Sequence, residues 1–230
     1  MFTRWIYINR KMKLTIDYII LYRLTIIIIY CIASHFCCEY FFPNENQLQL
    51  LCKLKYFTVI TMILNILYFM TVIPSKHFKE DTLSGYEFLV AFSFNMTMML
   101  IYWSILFYDS KMITEIEDLK NMPLWFNNLC HLFPPITLII DAYLIHPKIV
   151  SLQKALIIVC SLGIIYNVLI EIGIVFWKTC PYEDLLKYTV LFRYISYAAV
   201  WLIVMGFMLI GEKFLHNLHN NPQNKKMKTK

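Results

Sequence analysis

Glycine is scarce, with only 5 residues in 230, and none lies in a phosphate-cradling loop or a Gly-x-Ser-x-Gly elbow. A collagen-like chain, a glycine-loop nucleotide enzyme and a serine hydrolase of the elbow type are therefore excluded. Charge is sparse too, at 16% of residues, where a soluble domain carries about 25%. No His-Glu-x-x-His occurs. The six histidines form no clustered boxes of the kind a membrane di-iron enzyme needs, and His216-x-x-His219 alone offers too few ligands. The seven cysteines are odd in number and include no Cys-x-x-Cys, so neither a disulfide framework nor a zinc site is supported. Cys52 with Cys180 is the one pair considered for a bridge. No metal, nucleotide or organic cofactor is implied.

The formal charge of +6 does not describe a nucleic-acid groove. The basic residues cluster at the ends, at Arg4, Arg10, Lys11 and Lys13 and again at Lys225, Lys226, Lys228 and Lys230. Anionic headgroups are the simpler partner for both clusters. What lies between is apolar. Hydrophobic residues make up 59% of the chain, and its mean hydropathy is +0.57.

A helix crosses the hydrocarbon with about 20 residues. Six segments reach that length, at Tyr18–Cys38, Tyr56–Val72, Leu83–Tyr108, Leu124–Ile145, Ala155–Trp177 and Tyr188–Gly211. Breakers and charge separate them, at Pro43-Asn44-Glu45-Asn46, Pro74-Ser75-Lys76, Asp109 to Lys120, His146-Pro147-Lys148 and Cys180-Pro181-Tyr182. The expected fold is all-α, one polytopic bundle of six transmembrane helices. The first apolar run is read as an uncleaved first helix, because no small-residue cleavage site follows it.

Six spans place both termini on one side. That side carries 13 Lys and Arg and the other 6, with Arg23 and Arg193 inside the membrane. The positive-inside rule makes the terminal side cytosolic. The N-terminal stretch 1–15 and the basic tail 214–230 are then cytosolic, and the acidic loop Glu115-Ile116-Glu117-Asp118 faces the lumen or exterior. Lys226 and Lys228 lie fifth and third from the end of the chain. They look like a dibasic endoplasmic-reticulum retrieval signal, and a solvated lysine tail is the plainer reading. The expected location is the endoplasmic reticulum or another endomembrane, with the plasma membrane as the alternative. The sequon Asn95-Met96-Thr97 lies inside a span, which argues against glycosylation there.

Polar groups at membrane depth are expensive and each needs a reason. At the helical rise, Thr58 lies about 5 Å below the non-cytosolic boundary, Glu171 and Arg193 about 9 Å, and His131 about 10 Å. Asn127 and Asn128 are one turn above His131. These six side chains share one layer. Glu171 and Arg193 are most simply an ion pair, and the sharper alternative has Arg193 binding a lipid or substrate carboxylate. Arg23 is expected to snorkel to the cytosolic headgroups. Asp141 is expected to pair locally with Lys148. A helical threonine such as Thr58 usually back-bonds to its own carbonyls. A membrane histidine such as His131 can be a base, a proton carrier or a ligand. The methionines and aromatics of the second and third spans read as core and lipid-facing bulk.

One chemistry that fits is a hydroxyl nucleophile with a histidine base. Thr58 would attack an ester carbonyl while His131 takes its proton and returns it to the leaving alcohol, with Asn127 or Asn128 helping to hold the oxyanion. On position alone it is one possibility among several.

At these residues the chain resembles a known family. Lys55-Tyr56-Phe57-Thr58 with Leu67-Tyr68-Phe69 is similar to the start of helix two in the androgen-induced and androgen-dependent TFPI-regulating membrane proteins. Trp103 through Tyr108-Asp109 resembles the end of that family's helix three. Pro123-Leu124-Trp125-Phe126-Asn127 with His131, Pro134 and Asp141 resembles its most distinctive segment, and Trp177, Pro181-Tyr182 and Gly211-Glu212 also fit. The resemblance covers roughly residues 15–215. It implies six helices with cytosolic termini and hydrolysis of fatty acid esters of hydroxy fatty acids by a threonine and a histidine, which fall on Thr58 and His131. This chain departs in having Leu54 where many members have tryptophan, Asn128 where many have a second histidine, Leu132 for a threonine, and Asp141 for a glutamate. A non-catalytic regulator that binds lipid or a membrane protein is the rival reading. A small transporter is a weaker one, since midplane polar residues and paired broken helices are lacking.

Overall fold

The computed structural model describes residues 18–36, 56–75, 82–108, 123–177 and 189–220, and all regular structure among them is helical. The helices are α1 (Tyr18–Phe36), α2 (Phe57–Ser75), α3 (Thr82–Tyr108), α4 (Leu124–His131), α5 (Phe133–Ile145), α6 (Leu152–Ile172), which runs into a π-helical turn (Gly173–Trp177), and α7 (Val190–Asn220). Four of them, α1, α3, α6 with its π turn, and α7, are long and apolar enough to cross a membrane. The bent pair α4–α5 makes a fifth if taken as one span. The apolar stretch of α2, Phe57–Ile73, rises about 26 Å, a little less than a hydrocarbon core of about 30 Å. Five of the six expected passes thus meet the length test.

α3 is the axis of the bundle. It packs against α2, α4, α5, α6 and α7. Within its spanning window 56% of residues are buried, against 17–28% in the other three long helices. Phe88 through Asn95 are buried without interruption, so every face of these two turns meets protein. The outer helices instead present Ile, Leu, Val and aromatic side chains outward, among them Ile28, Ile164, Val168 and Leu202.

The span expected as one helix over Leu124–Ile145 is broken. Its two halves meet at 49° across Leu132. The cause is Pro134-Pro135. Neither proline has an N–H to give to the carbonyls of Cys130 and His131, and each ring crowds the carbonyl four residues back. The break therefore falls directly behind His131. α5 ends at His146, in the left-handed region at φ 53°, with its N–H on the Ala142 carbonyl at 2.9 Å.

The last helix does not stop at Gly211 but runs nine residues further, to Asn220. Gly211 marks a close approach: a Cβ there would sit 2.9 Å from Phe92 Cδ1 of α3. Beyond it Leu215 and Leu218 are buried, and Phe214 stacks on Phe88 and Phe92. These contacts carry the helix past the glycine.

Two expectations about charge are corrected. Arg23 does not snorkel. It is 1% exposed and donates through Nε to Asp141 Oδ1 at 2.9 Å, and through Nη1 to the Val72 carbonyl at 2.6 Å. Asp141 is fully buried and pairs with Arg23, 118 residues away, and not with Lys148. Lys148 is exposed beyond the His146 cap, whereas Asp141 faces the core, where Tyr68 also donates to it at 2.8 Å. Cys52, Cys180, the acidic loop and the lysine tail lie outside the described residues. Among the described residues Cys31, Cys130 and Cys160 are in no disulfide.

Candidate active site

Thr58 sits in the first turn of α2, where the Tyr56 carbonyl accepts from the N–H groups of Val59 and Ile60. Its neighbour Phe57 is buried against Phe94 of α3 and Tyr166 of α6, which fixes the turn in the bundle. Thr25, Thr71, Ser93, Thr97, Ser161 and Ser196 donate to carbonyls four residues back on their own helices, at 2.8–3.0 Å. The Thr58 hydroxyl instead points across to α3 and lies 3.8 Å from Met98 Sδ, a weak acceptor. Among the described residues this sulfur is its one hydrogen-bond partner, and the carbonyl four residues back, that of Leu54, lies outside them.

His131 ends α4 at the proline break. It is 7% exposed, and its ring lies flat on Tyr102 of α3, with centroids 3.6 Å apart and planes 9° apart. Nδ1 is buried with no hydrogen-bond partner. Met98, which Thr58 touches, and Tyr102, which His131 covers, are one turn apart on α3, about 6 Å along its axis. Thr58 and His131 are therefore seated on one stripe of the central helix, from two helices that touch each other.

The remaining candidates divide. Asn127 is one turn before His131 on the same face of α4, and its Oδ1 is buried without a partner. Asn128 is half-buried, and its backbone carbonyl accepts from Leu132 at 2.9 Å, closing the last turn of α4. Arg193 faces α6. Its Nε and Nη2 donate to Glu171 Oε1 and Oε2 at 3.2 and 3.1 Å, and Tyr197 donates to the same carboxylate at 3.0 Å. The ion pair, the simpler of the two readings, is the arrangement present. A groove of about 410 Å³, lined in part by Asn167, Glu171, Val175 and Tyr194, runs beside it on the lipid-facing side of α6 and α7.

Two residues were missed because they read as aromatic bulk. Tyr102 OH and Trp103 Nε1 are both buried and unpartnered. With Asn127 Oδ1 and His131 Nδ1 they make four of the six such side-chain atoms among the described residues, all on α3 and α4. Unsatisfied polar atoms are rare in folded proteins and costly, so four of them on two touching helices single this contact out as the candidate site. The sequence signal was available only as spacing: Met98 and Tyr102 are four apart on the helix that carries more buried polar residues than any other described helix. Among the described residues no three His, Cys, Asp or Glu side chains gather as a metal site.

The helices and the intramembrane polar cluster define a multi-pass helical membrane protein. The chain belongs to the FAR-17a/AIG1-like protein family, whose model matches residues 18–216, from the start of α1 almost to the end of α7. No curated protein and no solved structure matches it.

Proposed function

We propose that the protein is an intramembrane lipid esterase that hydrolyses fatty acid esters of hydroxy fatty acids, with Thr58 as nucleophile and His131 as general base and acid. The observation that carries this reading is the shared seat of Thr58 and His131 on the Met98–Tyr102 stripe of α3. The Thr58 hydroxyl, turned to a weak acceptor, and the unpartnered imidazole nitrogen add to it. The same reading takes the chain as a six-pass bundle in the endoplasmic reticulum or another endomembrane, with both termini cytosolic.

In the first step Thr58 Oγ1 bonds to the ester carbonyl carbon and its proton passes to His131. The carbonyl oxygen becomes negative, and the side-chain amide N–H of Asn127 or Asn128 helps to hold it. Collapse breaks the bond to the alkoxy oxygen, which leaves as the hydroxy fatty acid with the proton from His131. Water then attacks the acyl-threonine, giving its proton to His131. Release of the fatty acid returns that proton to Thr58. This reading assigns Arg193 to its pair with Glu171 and gives it no substrate role.

The test is turnover of a defined fatty acid ester of a hydroxy fatty acid by purified protein in lipid nanodiscs. Thr58→Ala and His131→Ala should each lower kcat by 10²–10⁴-fold or more while leaving folded yield unchanged. A fluorophosphonate lipid probe should label Thr58 in the wild type and not in Thr58→Ala. Full turnover by either variant overturns the assignment. No turnover and no labelling in the wild type leaves a lipid- or protein-binding membrane regulator, a reading the Asn128 departure favours.

A further inference from the structure

We infer that Tyr102 is a third working residue of this site: its ring steadies the His131 imidazolium, and its hydroxyl donates to the ester carbonyl oxygen as that oxygen becomes negative. This inference rests on the esterase reading above.

The ring argument starts from geometry. Among the described residues the other aromatic pairs have centroids 5.2–6.4 Å apart, and Tyr102–His131 alone closes to 3.6 Å with nearly parallel planes. A centroid distance so near the thickness of a ring leaves almost no sideways offset. Two neutral rings disfavour that face-to-face stack, because their quadrupoles repel. A cation above the same face is attracted by it. The stack is therefore poor while His131 is neutral and good once His131 carries the nucleophile's proton. It favours the state that exists only part-way through the reaction, which is what transition-state stabilisation requires.

The hydroxyl argument starts from an orphan. Tyr102 is 7% exposed, and its OH has no partner. Trp103 Nε1, next in the chain, is a donor only and is unpartnered as well. Tyr102 OH can donate and Trp103 Nε1 only donates, so an accepting group supplies what both lack. An ester carbonyl is such a group. Tyr102 also lies one turn from Met98, against which the Thr58 hydroxyl rests, so a carbonyl attacked by Thr58 lies alongside it. In the catalytic cycle the Tyr102 proton stays on its oxygen throughout and is shared with the oxyanion by hydrogen bonding.

Tyr102→Phe keeps the ring and removes the hydroxyl. Because that hydroxyl is buried with no partner, its loss removes an unmet polar group, and thermal stability should be equal to the wild type or higher. The measurements are kcat and KM for the ester, and affinity for two long-chain ligands. One is a trifluoromethyl ketone, which takes up the threonine oxygen as a tetrahedral oxyanion. The other is an ether analogue that cannot react. Tyr102→Phe should lower kcat roughly 100-fold with KM unchanged, weaken the ketone by a similar factor and leave the ether analogue unaffected. Tyr102→Leu should lower kcat further, since the imidazole also loses its seat. Wild-type kcat and ketone affinity in Tyr102→Phe overturn the inference. If Thr58→Ala and His131→Ala are inactive in the same assay, Tyr102 alone has been misassigned. If those two variants are fully active, the esterase reading falls and takes Tyr102 with it.

Discussion

The two ends of α2 carry two polar regions that differ above all in one respect. Near Val72, Arg23, Asp141, Tyr68 and a backbone carbonyl form a network in which the guanidinium and the carboxylate are both engaged. About 21 Å away along the same helix, Thr58, Tyr102, Trp103, Asn127 and His131 gather with four of their polar atoms buried and unpaired. The first region is the more deeply buried, with Arg23, Tyr68 and Asp141 at 1% exposure or less, while Thr58, Trp103 and Asn127 are half-buried, yet burial is not the sharper difference. Satisfaction is. A closed network holds helices together, whereas an open one is stable only because the rest of the bundle enforces it, and on the reading proposed above its unmet partners come with the ester.

That contrast can be broken by mutation. The largest effect belongs to the closed network. Asp141→Leu leaves Arg23 buried and unpaired and should lower stability by about 3–5 kcal/mol, read as loss of folded protein in detergent. The double change Arg23→Met with Asp141→Leu should recover most of that loss, because it removes both charges together. At the open region the sign reverses. His131→Leu should abolish hydrolysis yet raise stability by about 1–2 kcal/mol, since an unpaired nitrogen is replaced by a side chain that wants none. A fall in stability of similar size would show that His131 has a structural partner and that the contrast is wrong. Tyr30→Phe removes the bond of 2.9 Å to Thr137 Oγ1 and should cost about 1 kcal/mol. The smallest effect is expected at the exposed Ser161, whose hydroxyl bonds only its own helix; Ser161→Ala should change the melting temperature by less than about 0.5 kcal/mol equivalent.

Much of this was legible in the residue order. Long apolar runs gave the helical class, and counting from the span ends put Thr58 and His131 at similar depth. Depth along a helix says nothing of what lies across it. Asp141 was therefore matched with Lys148, seven residues away, when its partner was Arg23 on another helix. Arg23 was sent to the headgroups for the same reason. Pro134 and Pro135 were visible, but a proline pair near a span's middle does not announce whether neighbouring helices can absorb a bend. Hydropathy faded at Gly211, whereas the contacts of Phe214 that extend α7 exist only once α3 and α5 are in place, with Phe88 and Phe92 on one and Tyr143 on the other. Tyr102 was hidden most completely. One aromatic among many in an apolar helix acquires meaning only when a histidine lies flat upon it.

The sheathing of α3 bears on how the chain is made. α3 is synthesised before α4 to α7, so it enters the bilayer while most of the helices that will cover it are still unbuilt. It carries Ser93, Asn95 and Thr97 at its middle, residues that lipid tolerates poorly. Each of the three turns back on its own helix, Ser93 to the Leu89 carbonyl, Asn95 to that of Ala91 and Thr97 to that of Ser93. A newly inserted α3 is thus already supplied with acceptors for these groups, and can wait in lipid until its neighbours arrive.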